Sequence, residues 1–325
     1  MPLFAGAAGG MTRHGFVAIV GRPNVGKSTL INALAGGKVS IVSHRRQTTR
    51  GILRAAFVHS GSQCGLLDSP GWQTRHGGTF NRRLNEGAEW AATAADVVVF
   101  VCAAPQWTKE DADFLSRLPT ALPMVAAVNK TDLAADNAAL LPLADEVRRQ
   151  RDFAAIVPLC ARRGQGISVL KDEVTALLPE SPPLFDDEEI TTVGGADANT
   201  VLPLRDKMAA NADFFLGELL REKVYHALGD ELPYSIGVLV RRTGMRGKAT
   251  AVSARILVER ESQKAIVIGA GGAQLKKIAA AARYDMERAL GERVYLTVRV
   301  KVAADWRRNE NLLRQMRVGA PADRG

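Results

Sequence analysis

The clearest chemical motif of the chain is a run of eight residues near its N-terminus. Gly21-Arg-Pro-Asn-Val-Gly-Lys-Ser28 matches the pattern G-x-x-x-x-G-K-[ST] and directly follows a strand-like run at 16–20. Glycines in such a loop let backbone N–H groups close around phosphate oxygens at a helix N-terminus, where the helix dipole also favours an anion. Lys27 supplies a charge for the β- and γ-phosphates, and Ser28 is placed to ligate Mg²⁺. The motif predicts a nucleotide site that also includes Asn24, Val25, Gly26 and Thr29.

A second motif, Asp68-Ser-Pro-Gly71, ends another strand-like run. At this distance after a phosphate-binding loop, Asp68 is expected to hold Mg²⁺ through water, and the Gly71 N–H to meet the γ-phosphate. The segment Gln47-Thr-Thr-Arg50 lies between the two motifs and offers hydroxyls. We assign Thr49 to the second magnesium position. The alternative is that these threonines simply precede a strand.

The third motif, Asn129-Lys-Thr-Asp132, predicts which base the site accepts. A carboxylate at Asp132 accepts hydrogen bonds from the N1–H and N2 amine of guanine, whereas adenine would leave it unpaired in a buried site. Lys130 belongs to the same loop. Cys160-Ala-Arg-Arg-Gly164 follows the next strand, where a backbone N–H can read the guanine O6. We therefore include Cys160, Ala161 and Arg162 in a GTP site.

The elements that must position these motifs alternate between strands and helices, which indicates an α/β sheet with crossover helices. Six strands are predicted at 16–20, 51–58, 64–68, 97–102, 124–128 and 156–159. Helices are predicted between them at 28–35, 79–94, 109–118, 137–149 and 166–178. The Pro-containing stretch from residue 179 and the acidic, aperiodic segment after it indicate a linker.

The rest of the chain indicates a smaller α+β domain with a basic surface. A helix is predicted at 211–228, strands at 235–240 and 249–258, a long helix at 273–290, and a strand at 294–302. Residues 236–325 hold 19 Lys and Arg against 8 Asp and Glu, whereas residues 1–235 hold 24 against 26. All of the net charge of +9 thus lies in the last quarter of the chain. A nucleic-acid partner for this domain is one interpretation, and a solvated basic surface is the other.

Together these motifs resemble the bacterial Era GTPases from residue 15 to about 316. The resemblance extends to Leu216-Gly-Glu-Leu-Leu-Arg-Glu-Lys223 and to Val267-Ile-Gly-Ala-Gly-Gly272. It implies a Ras-like GTPase domain with a mostly parallel six-stranded sheet, followed by a type II K-homology (KH) domain. The implied division is a flexible N-terminus at 1–14, the GTPase domain at 15–178, a linker at 179–208, the KH domain at 209–316 and a flexible tail at 317–325.

The resemblance also implies a function. A slow, Mg²⁺-dependent GTPase is expected to assist assembly of the small (30S) ribosomal subunit, its KH domain binding near the 3′ end of the small-subunit rRNA. The expected RNA-binding residues are those of the GxxG loop and the helix after it: Gly269, Ala270, Gly271, Gly272, Lys276 and Lys277. Asn24 resembles an asparagine that helps to hold K⁺ in some GTPases. Trp72 occupies the position of a water-orienting Gln in Ras-like enzymes, so no side chain is assigned as the catalytic base.

Composition and length limit the class of protein. The 325 residues favour two domains, and the longest apolar runs have the length of a strand rather than of a membrane span. The N-terminus lacks the pattern of a secretory signal, and the three cysteines lack paired or metal-ligand spacing. We expect a cytoplasmic monomer, and peripheral contact with the inner membrane stays open. Two alternatives are a GTP-binding RNA scaffold without significant turnover and a tRNA-modifying or large-subunit GTPase.

Overall fold

The chain divides near residue 205 into two compact units in the computed structural model. The structure describes residues 12–37, 53–72, 78–136, 138–184, 190–192, 200–203, 212–228 and 235–319. Within them, no single helix has the length and apolarity of a membrane span, and only the bent pair Glu261–Ile268 and Ala270–Leu290 reaches both criteria together.

The first unit is an α/β sheet with helices on both faces. Its strands are β1 Gly15–Val20, β2 Leu53–His59, β3 Ser62–Asp68, β4 Val97–Ala103, β5 Met124–Asn129, β6 Ala155–Pro158, β7 Ile190–Thr192 and β8 Thr200–Pro203. Its helices are α1 Lys27–Ala35, α2 Thr79–Thr93, α3 Lys109–Leu115, α4 Leu141–Gln150 and α5 Ile167–Leu177. The strand order is β6-β5-β4-β1-β3-β2-β8-β7. Strands β3, β1, β4, β5 and β6 run parallel, so their carboxyl ends meet at one edge.

The core of this unit lies on both sides of β4, all seven residues of which are buried. Val97, Val99 and Val101 face a cluster that includes residues of α1 and α5. Val98, Phe100 and Cys102 face a second cluster with residues of α2, α3 and α4. A continuous apolar run is typical of a strand covered by helices on both faces. The predicted α/β fold is confirmed.

Two expectations for the first unit are corrected. The predicted linker contains β7 and β8, and β8 pairs with β2 at Ala56 and Phe57, so the sheet has eight strands rather than six. The flexible N-terminus was predicted to include residues 13 and 14, which pack on the unit. The Arg13 guanidinium donates to the carbonyl oxygens of Ala176 and Leu178, and the His14 N–H donates to Pro179 O.

The second unit has the α-β-β-α-α-β order of a type II KH domain. Its elements are α6 Ala212–Ala227, β9 Gly237–Arg246, β10 Ala249–Val258, α7 Glu261–Ile268, α8 Ala273–Leu290, β11 Val294–Val302 and α9 Glu310–Gln315. Central strand β10 is antiparallel to β9 and parallel to β11. The KH fold is thus confirmed. Val318 lies in the predicted flexible tail, but its side chain is buried and its N–H donates to Leu313 O.

Candidate nucleotide-binding site and GxxG loop

The phosphate-binding loop connects the end of β1 to the start of α1. Lys27 begins the helix, and its ammonium donates to the carbonyl oxygens of Gly21 and Arg22, each at 2.9 Å. Burial lowers the pKa of Lys27 to about 8, although nearby Asp68 acts in the opposite direction. Gly26 has φ = 100°, and a Cβ there would lie 2.3 Å from Asn129 Nδ2, so only glycine fits. The loop therefore holds a buried cation beside backbone N–H groups.

The end of β3 packs directly against this loop. Asp68 is 1% exposed and lies opposite Ile19 of β1. The Ser69 hydroxyl donates to Ile19 O at 2.8 Å, which ties the end of β3 to β1. A Cβ on Gly71 would lie 2.9 Å from the backbone of Pro23. This close approach brings the Gly71 backbone to the phosphate-binding loop, as the motif predicts.

Trp72 does not have the geometry of a water-orienting residue. Its side chain is 3% exposed and stacks on Phe114 with ring centroids 5.2 Å apart. The Arg117 guanidinium lies 5.3 Å from the centre of the Trp72 ring. Its one hydrogen-bonding group, the indole N–H, donates to Glu89 Oε1 at 3.4 Å and is therefore not directed at an attacking water.

Asn129 joins three of the predicted motifs through one side-chain amide. It ends β5 and is 2% exposed. Its Nδ2 donates to Val25 O at 2.9 Å, and its Oδ1 accepts the N–H of Ala161 at 3.0 Å. The motifs predict all three residues in the site but not these bonds. The amide fixes the base-reading loops relative to the phosphate-binding loop.

The predicted base-reading residues converge around Asp132. Lys130 has a left-handed backbone, and its ammonium donates to Asn24 O at 2.5 Å. Asp132 Oδ1 accepts from the Cys160 thiol at 3.1 Å, and Oδ2 lies 2.7 Å from the Arg162 guanidinium. These donors, with the Cys160 contact as the larger cause, hold the pKa of Asp132 below its usual range. The carboxylate is therefore ionised and oriented, as recognition of a guanine edge requires.

One contact that positions the phosphate-binding loop is not predicted by any motif. The Arg22 Nε lies 3.0 Å from both carboxylate oxygens of Asp111, a fully buried residue in the first turn of α3. The same carboxylate accepts the N–H and hydroxyl of Thr108, which caps the helix. An Asp two residues after a Thr-Lys pair looks like an ordinary helix cap, so the sequence carries no signal for the Arg22 contact.

The residues predicted to hold Mg²⁺ have suitable chemistry. Ser28 lies in the first turn of α1, next to Lys27. The buried Asp68 carboxylate is close enough to raise the pKa of Lys27, so it lies near Ser28 as well. Hydroxyl and carboxylate oxygens are the protein ligands that Mg²⁺ uses beside substrate phosphates. Thr49 lies outside the described residues. No group of three or more His, Cys, Asp or Glu side chains that could hold a metal ion is found in the described part of the chain.

The GxxG loop connects α7 to α8 as a single 3-10 turn, Ala270–Gly272. Gly269, Gly271 and Gly272 all have positive φ, and Gly272 caps the N-terminus of α8. Lys276 and Lys277 are exposed in the first turns of α8. Backbone N–H groups, the helix dipole and two cations thus lie together, an arrangement that suits an RNA backbone.

Both units match known families. Residues 16–130 match the model of a 50S ribosome-binding GTPase, and residues 224–307 match that of a KH domain. The GTPase Era of Bordetella petrii is 40% identical over 304 residues, covering 94% of this chain and 97% of that protein. The GTPase Era of Chromobacterium violaceum is 40% identical over 301 residues, covering 93% and 96%.

Solved structures agree over both units. Aquifex aeolicus Era bound to GDP and aluminium fluoride is 32% identical, with a TM-score of 0.81 over 94% of this chain and 98% of that one. An Era in complex with MgGDPNP and nucleotides 1506–1542 of 16S ribosomal RNA is 32% identical, with a TM-score of 0.82 over the same shares. The order of motifs, the two folds and the identity along nearly the whole length agree: the chain belongs to the Era family of GTPases.

Proposed function

We propose that this GTPase assists assembly of the small ribosomal subunit, with its KH domain bound near the 3′ end of the small-subunit rRNA. The observation that carries the proposal is the likeness over both units to an Era solved on a 16S rRNA segment. The open GxxG loop beside Lys276 and Lys277 supports it, because this is the backbone geometry that a KH domain uses to clamp single-stranded RNA.

The described residues support a chemical division of roles. Asp132 accepts hydrogen bonds from the N1–H and N2 amine of guanine. Asn129 bonds to Val25 and Ala161 and so fixes the base-reading loops relative to the phosphate-binding loop. Lys27 offers a cation to the β- and γ-phosphates. At the position after Gly71, the buried Trp72 supplies no group to orient water. Hydrolysis therefore relies on positioning and electrostatics, and we expect slow intrinsic turnover.

Metal ions complete the proposed site. Ser28 and Asp68 would hold Mg²⁺ with Thr49, and the likeness to an Era solved with MgGDPNP supports magnesium as the metal. Mg²⁺ supplies charge that offsets the charge developing between the phosphates. Asn24 would help to hold K⁺; its exposed position in the phosphate-binding loop, with a left-handed backbone, supports this role. Such a cation would act where an arginine finger acts in other GTPases.

The potassium proposal is tested by comparing turnover in KCl and NaCl at equal ionic strength. We expect faster hydrolysis in KCl, and Asn24→Ala should abolish the difference between the salts. Asn24→Gly, which keeps the left-handed backbone without the amide, controls for strain in the loop. Equal wild-type rates in both salts would disprove a role for K⁺.

The ribosomal target is tested by crosslinking the GTP-analogue-bound protein to total RNA and mapping the sites. We expect crosslinks near the 3′ end of 16S rRNA, co-sedimentation with 30S subunits, and phosphate release over many turnovers that 30S subunits stimulate. The matched variant replaces Ala270 and Gly271 with Asp, which should repel RNA but leave nucleotide affinity unchanged. Crosslinks confined to large-subunit rRNA would favour the role that the 50S ribosome-binding family description suggests.

The place of action is part of the same proposal. We propose that the protein works as a monomer in the cytoplasm. The alternative is peripheral contact with the inner membrane. The three cysteines, all buried as free thiols, support the cytoplasmic location. Sedimentation of the purified protein and fractionation of cells test the two points separately.

A further inference from the structure

A cleft of about 620 Å³ lies in the KH unit, along the outer edge of strand β9. Strand β9 ends the three-stranded sheet and pairs only with β10. The first two turns of α6 form one wall of the cleft through Phe214 and Gly217, and the end of α9 forms the other through Gln315 and Met316. This volume is within the range of ligand-binding clefts. No residue of the GTP site or of the GxxG loop lines the cleft.

The two walls cover opposite faces of the sheet and leave the edge of β9 between them. On the face that carries α6, a Cβ on Gly217 would lie 3.7 Å from Val240 Cγ2. On the other face, a Cβ on Gly237 would lie 2.9 Å from the Met316 sulfur. Positions an odd number of residues apart along a strand face opposite sides of the sheet. The floor of the cleft is therefore the backbone edge of β9.

The pairing register determines which backbone groups this edge exposes. Val258 O of β10 accepts from the Ala303 N–H at the end of β11, so even-numbered residues of β10 bond toward β11 and odd-numbered ones toward β9. Arg255 of β10 lies opposite Leu239, so these two residues exchange backbone hydrogen bonds. Neighbouring residues of a strand direct these groups to opposite sides. The residues before and after Leu239 therefore direct theirs out of the sheet.

Val238 and Val240 are those residues, and they offer two N–H and two C=O groups to the cleft. The Arg242 N–H, two residues further along, points the same way and donates to the Asp213 carboxylate of α6 at 3.1 Å. In the described part of the chain, nothing bonds to the outward groups of Val238 and Val240. Both residues are half-buried between the walls. An unpaired edge of this kind can accept an added strand.

The charge of the cleft indicates which strand fits. Its two carboxylates, Asp213 and Glu218, are each paired with an arginine. Arg241 and Arg255 also line the cleft, are exposed, and have no carboxylate partner among the described residues. Both lie on the face opposite α6, in register with Gly237. A strand with acidic side chains on that face and small apolar ones toward α6 therefore complements the cleft.

A polypeptide suits this edge better than a nucleic acid or a second copy of the chain. Phosphate oxygens accept hydrogen bonds but cannot donate them, so a phosphate backbone would leave the outward C=O groups of Val238 and Val240 unpaired. Two copies joined edge to edge would place both Arg241 side chains on one face of the joined sheet, where like charges repel.

We propose that this cleft binds an extended, acidic segment of a partner protein, which adds a fourth strand to the KH sheet beside β9. Val238 and Val240 bond to the backbone of the segment, and Arg241 and Arg255 pair with its carboxylates. The GxxG loop follows α7, which packs on β11 at the other edge of the sheet, so RNA and this partner can bind together. The inference goes beyond RNA binding and does not depend on it.

The test titrates the full-length protein into a labelled peptide in which Glu alternates with Val, and into the same peptide with Lys in place of Glu. Val240→Pro removes one outward N–H and blocks the edge but keeps the bonds to β10, because edge strands tolerate proline where the N–H faces outward. We expect affinity for the Glu peptide to fall about tenfold or more. Val240→Ala keeps the N–H and should change this affinity by less than about threefold.

Arg241→Glu tests the charge of the partner. Affinity for the Glu peptide should fall about fivefold, and affinity for the Lys peptide should rise by a similar factor. Arg148→Glu makes the same change of charge at an exposed position of α4 and should alter neither affinity. Urea unfolding of each variant shows whether its KH domain stays folded.

Amide hydrogen exchange, followed by NMR, reads the edge directly. In the free protein, the N–H groups of Val238 and Val240 should exchange faster than that of Leu239, which bonds to β10. The Glu peptide should slow exchange at Val238 and Val240 only. The Arg242 N–H, already bonded to Asp213, is the internal reference.

Several outcomes would overturn the proposal. Equal binding by Val240→Pro and Val240→Ala, or unchanged exchange at Val238, excludes strand addition, and equal affinity for the two peptides excludes an acidic partner. A wild-type dimer that Val240→Pro converts to a monomer assigns the edge to a second copy. Weaker duplex RNA binding by Val240→Pro, with no peptide bound by the wild type, assigns it to RNA. Failure of the peptide tests leaves the proposed function intact, because they measure neither RNA binding nor GTP hydrolysis.

Discussion

At the scale of single residues, the surroundings of Asp132 determine which base the site accepts. Its two carboxylate oxygens face a thiol at 3.1 Å and a guanidinium at 2.7 Å, both from the turn after β6. Each carboxylate oxygen can accept two hydrogen bonds, so the edge of guanine can bind while these donors stay in place. Cys160 and Arg162 therefore orient the group that reads the base.

Asp132→Asn should change the base preference of the enzyme. The amide donates where the carboxylate accepts, so it repels the N2 amine of guanine and pairs with the 2-carbonyl of xanthine. GTP affinity should fall by about 100-fold or more, and xanthosine triphosphate should become the better ligand. Competition against labelled GDP measures both effects, with Asp136→Asn as the control of equal charge in the same loop. Retained preference for GTP would show that Asp132 does not read the base.

Lys27 should couple nucleotide binding to protons. Burial lowers its pKa to about 8 in the nucleotide-free protein, and bound phosphates raise it again. Well below pH 8 the Lys27 ammonium is already charged, so nucleotide binding takes up protons only near and above its pKa of about 8. Nucleotide affinity should therefore fall as the pH rises through that value. Calorimetry at about pH 8.5 in buffers of different ionisation enthalpy should reveal uptake of a fraction of a proton. The control is the same titration at about pH 6.5, where Lys27 is already charged. Binding heats at about pH 8.5 that do not depend on the buffer would contradict proton uptake by Lys27.

At the scale of elements, α3 supports the site without contributing a predicted site residue. The Asp111 carboxylate forms an ion pair with Arg22 of the phosphate-binding loop, and the Phe114 ring stacks on Trp72, the residue after Gly71. A seven-residue helix thus contacts both segments that approach the phosphates. Its cap at Thr108 fixes the first turn and hence the direction of the Asp111 carboxylate.

Asp111→Asn should destabilise the GTPase unit and weaken nucleotide binding together. It leaves the Arg22 guanidinium without its carboxylate and removes an acceptor from the helix cap. We expect a loss of about 2–4 kcal/mol in the free energy of unfolding, measured in urea, with lower GDP affinity. Asp113→Asn removes the same charge from the same helix and should change neither quantity by more than about 0.5 kcal/mol. Equal effects of the two variants would mean that the ion pair with Arg22 is unimportant.

The sequence predicts elements well where apolar periodicity is strong and poorly where it is absent. All residues of β4 are apolar, and its predicted bounds differ from the observed strand by one residue. The pattern predicts that strand β9 ends at Val240, yet it continues to Arg246 through mostly exposed residues that carry no apolar period. Helix α7 was missed because it has only eight residues, and its capping contacts, Gln263 Oε1 with the N–H groups of Glu259 and Arg260, leave no apolar pattern.

The same contrast holds for the site. Motif spacing alone placed Val25, Asn129 and Ala161 in one site, and the structure brings them together. The contact between Arg22 and Asp111 joins residues 89 positions apart, and neither type nor spacing indicates it. Specific long-range ion pairs depend on how helices pack on the sheet, which a periodic pattern does not encode.

At the scale of the whole molecule, charge and chemistry are divided between the two units. The GTPase unit carries nearly balanced charge, and the excess of cations lies in residues 236–325. Phosphate contacts position an RNA whatever its sequence, whereas base contacts specify it. Nucleotide chemistry and RNA affinity should therefore be separable by mutation.

Adding one cation to the GxxG loop should strengthen RNA binding without affecting GTP. Ala270 is the better position for lysine, because Gly271 has φ = 57°, a conformation that strains other residues. Ala270→Lys should raise single-strand affinity and steepen the log–log salt slope by about 0.7, the value for one phosphate. GTP hydrolysis without RNA should be unchanged. Ala270→Gln controls for side-chain size. If RNA affinity and its salt slope both stay constant in Ala270→Lys, the GxxG loop is only a turn.

The sulfur beside Asp132 also gives the molecule a natural chemical label. Burial raises the pKa of Cys64 and of Cys102 to about 12, which keeps both as unreactive thiols. Cys160 is also buried, at 1% exposed, but its thiol donates to the Asp132 carboxylate at 3.1 Å, so a reagent reaches it only when this turn opens. A guanine base bound to Asp132 should keep this turn closed, so slower alkylation of Cys160 in the presence of GDP, followed by mass spectrometry, reports occupancy of the site without an added fluorophore.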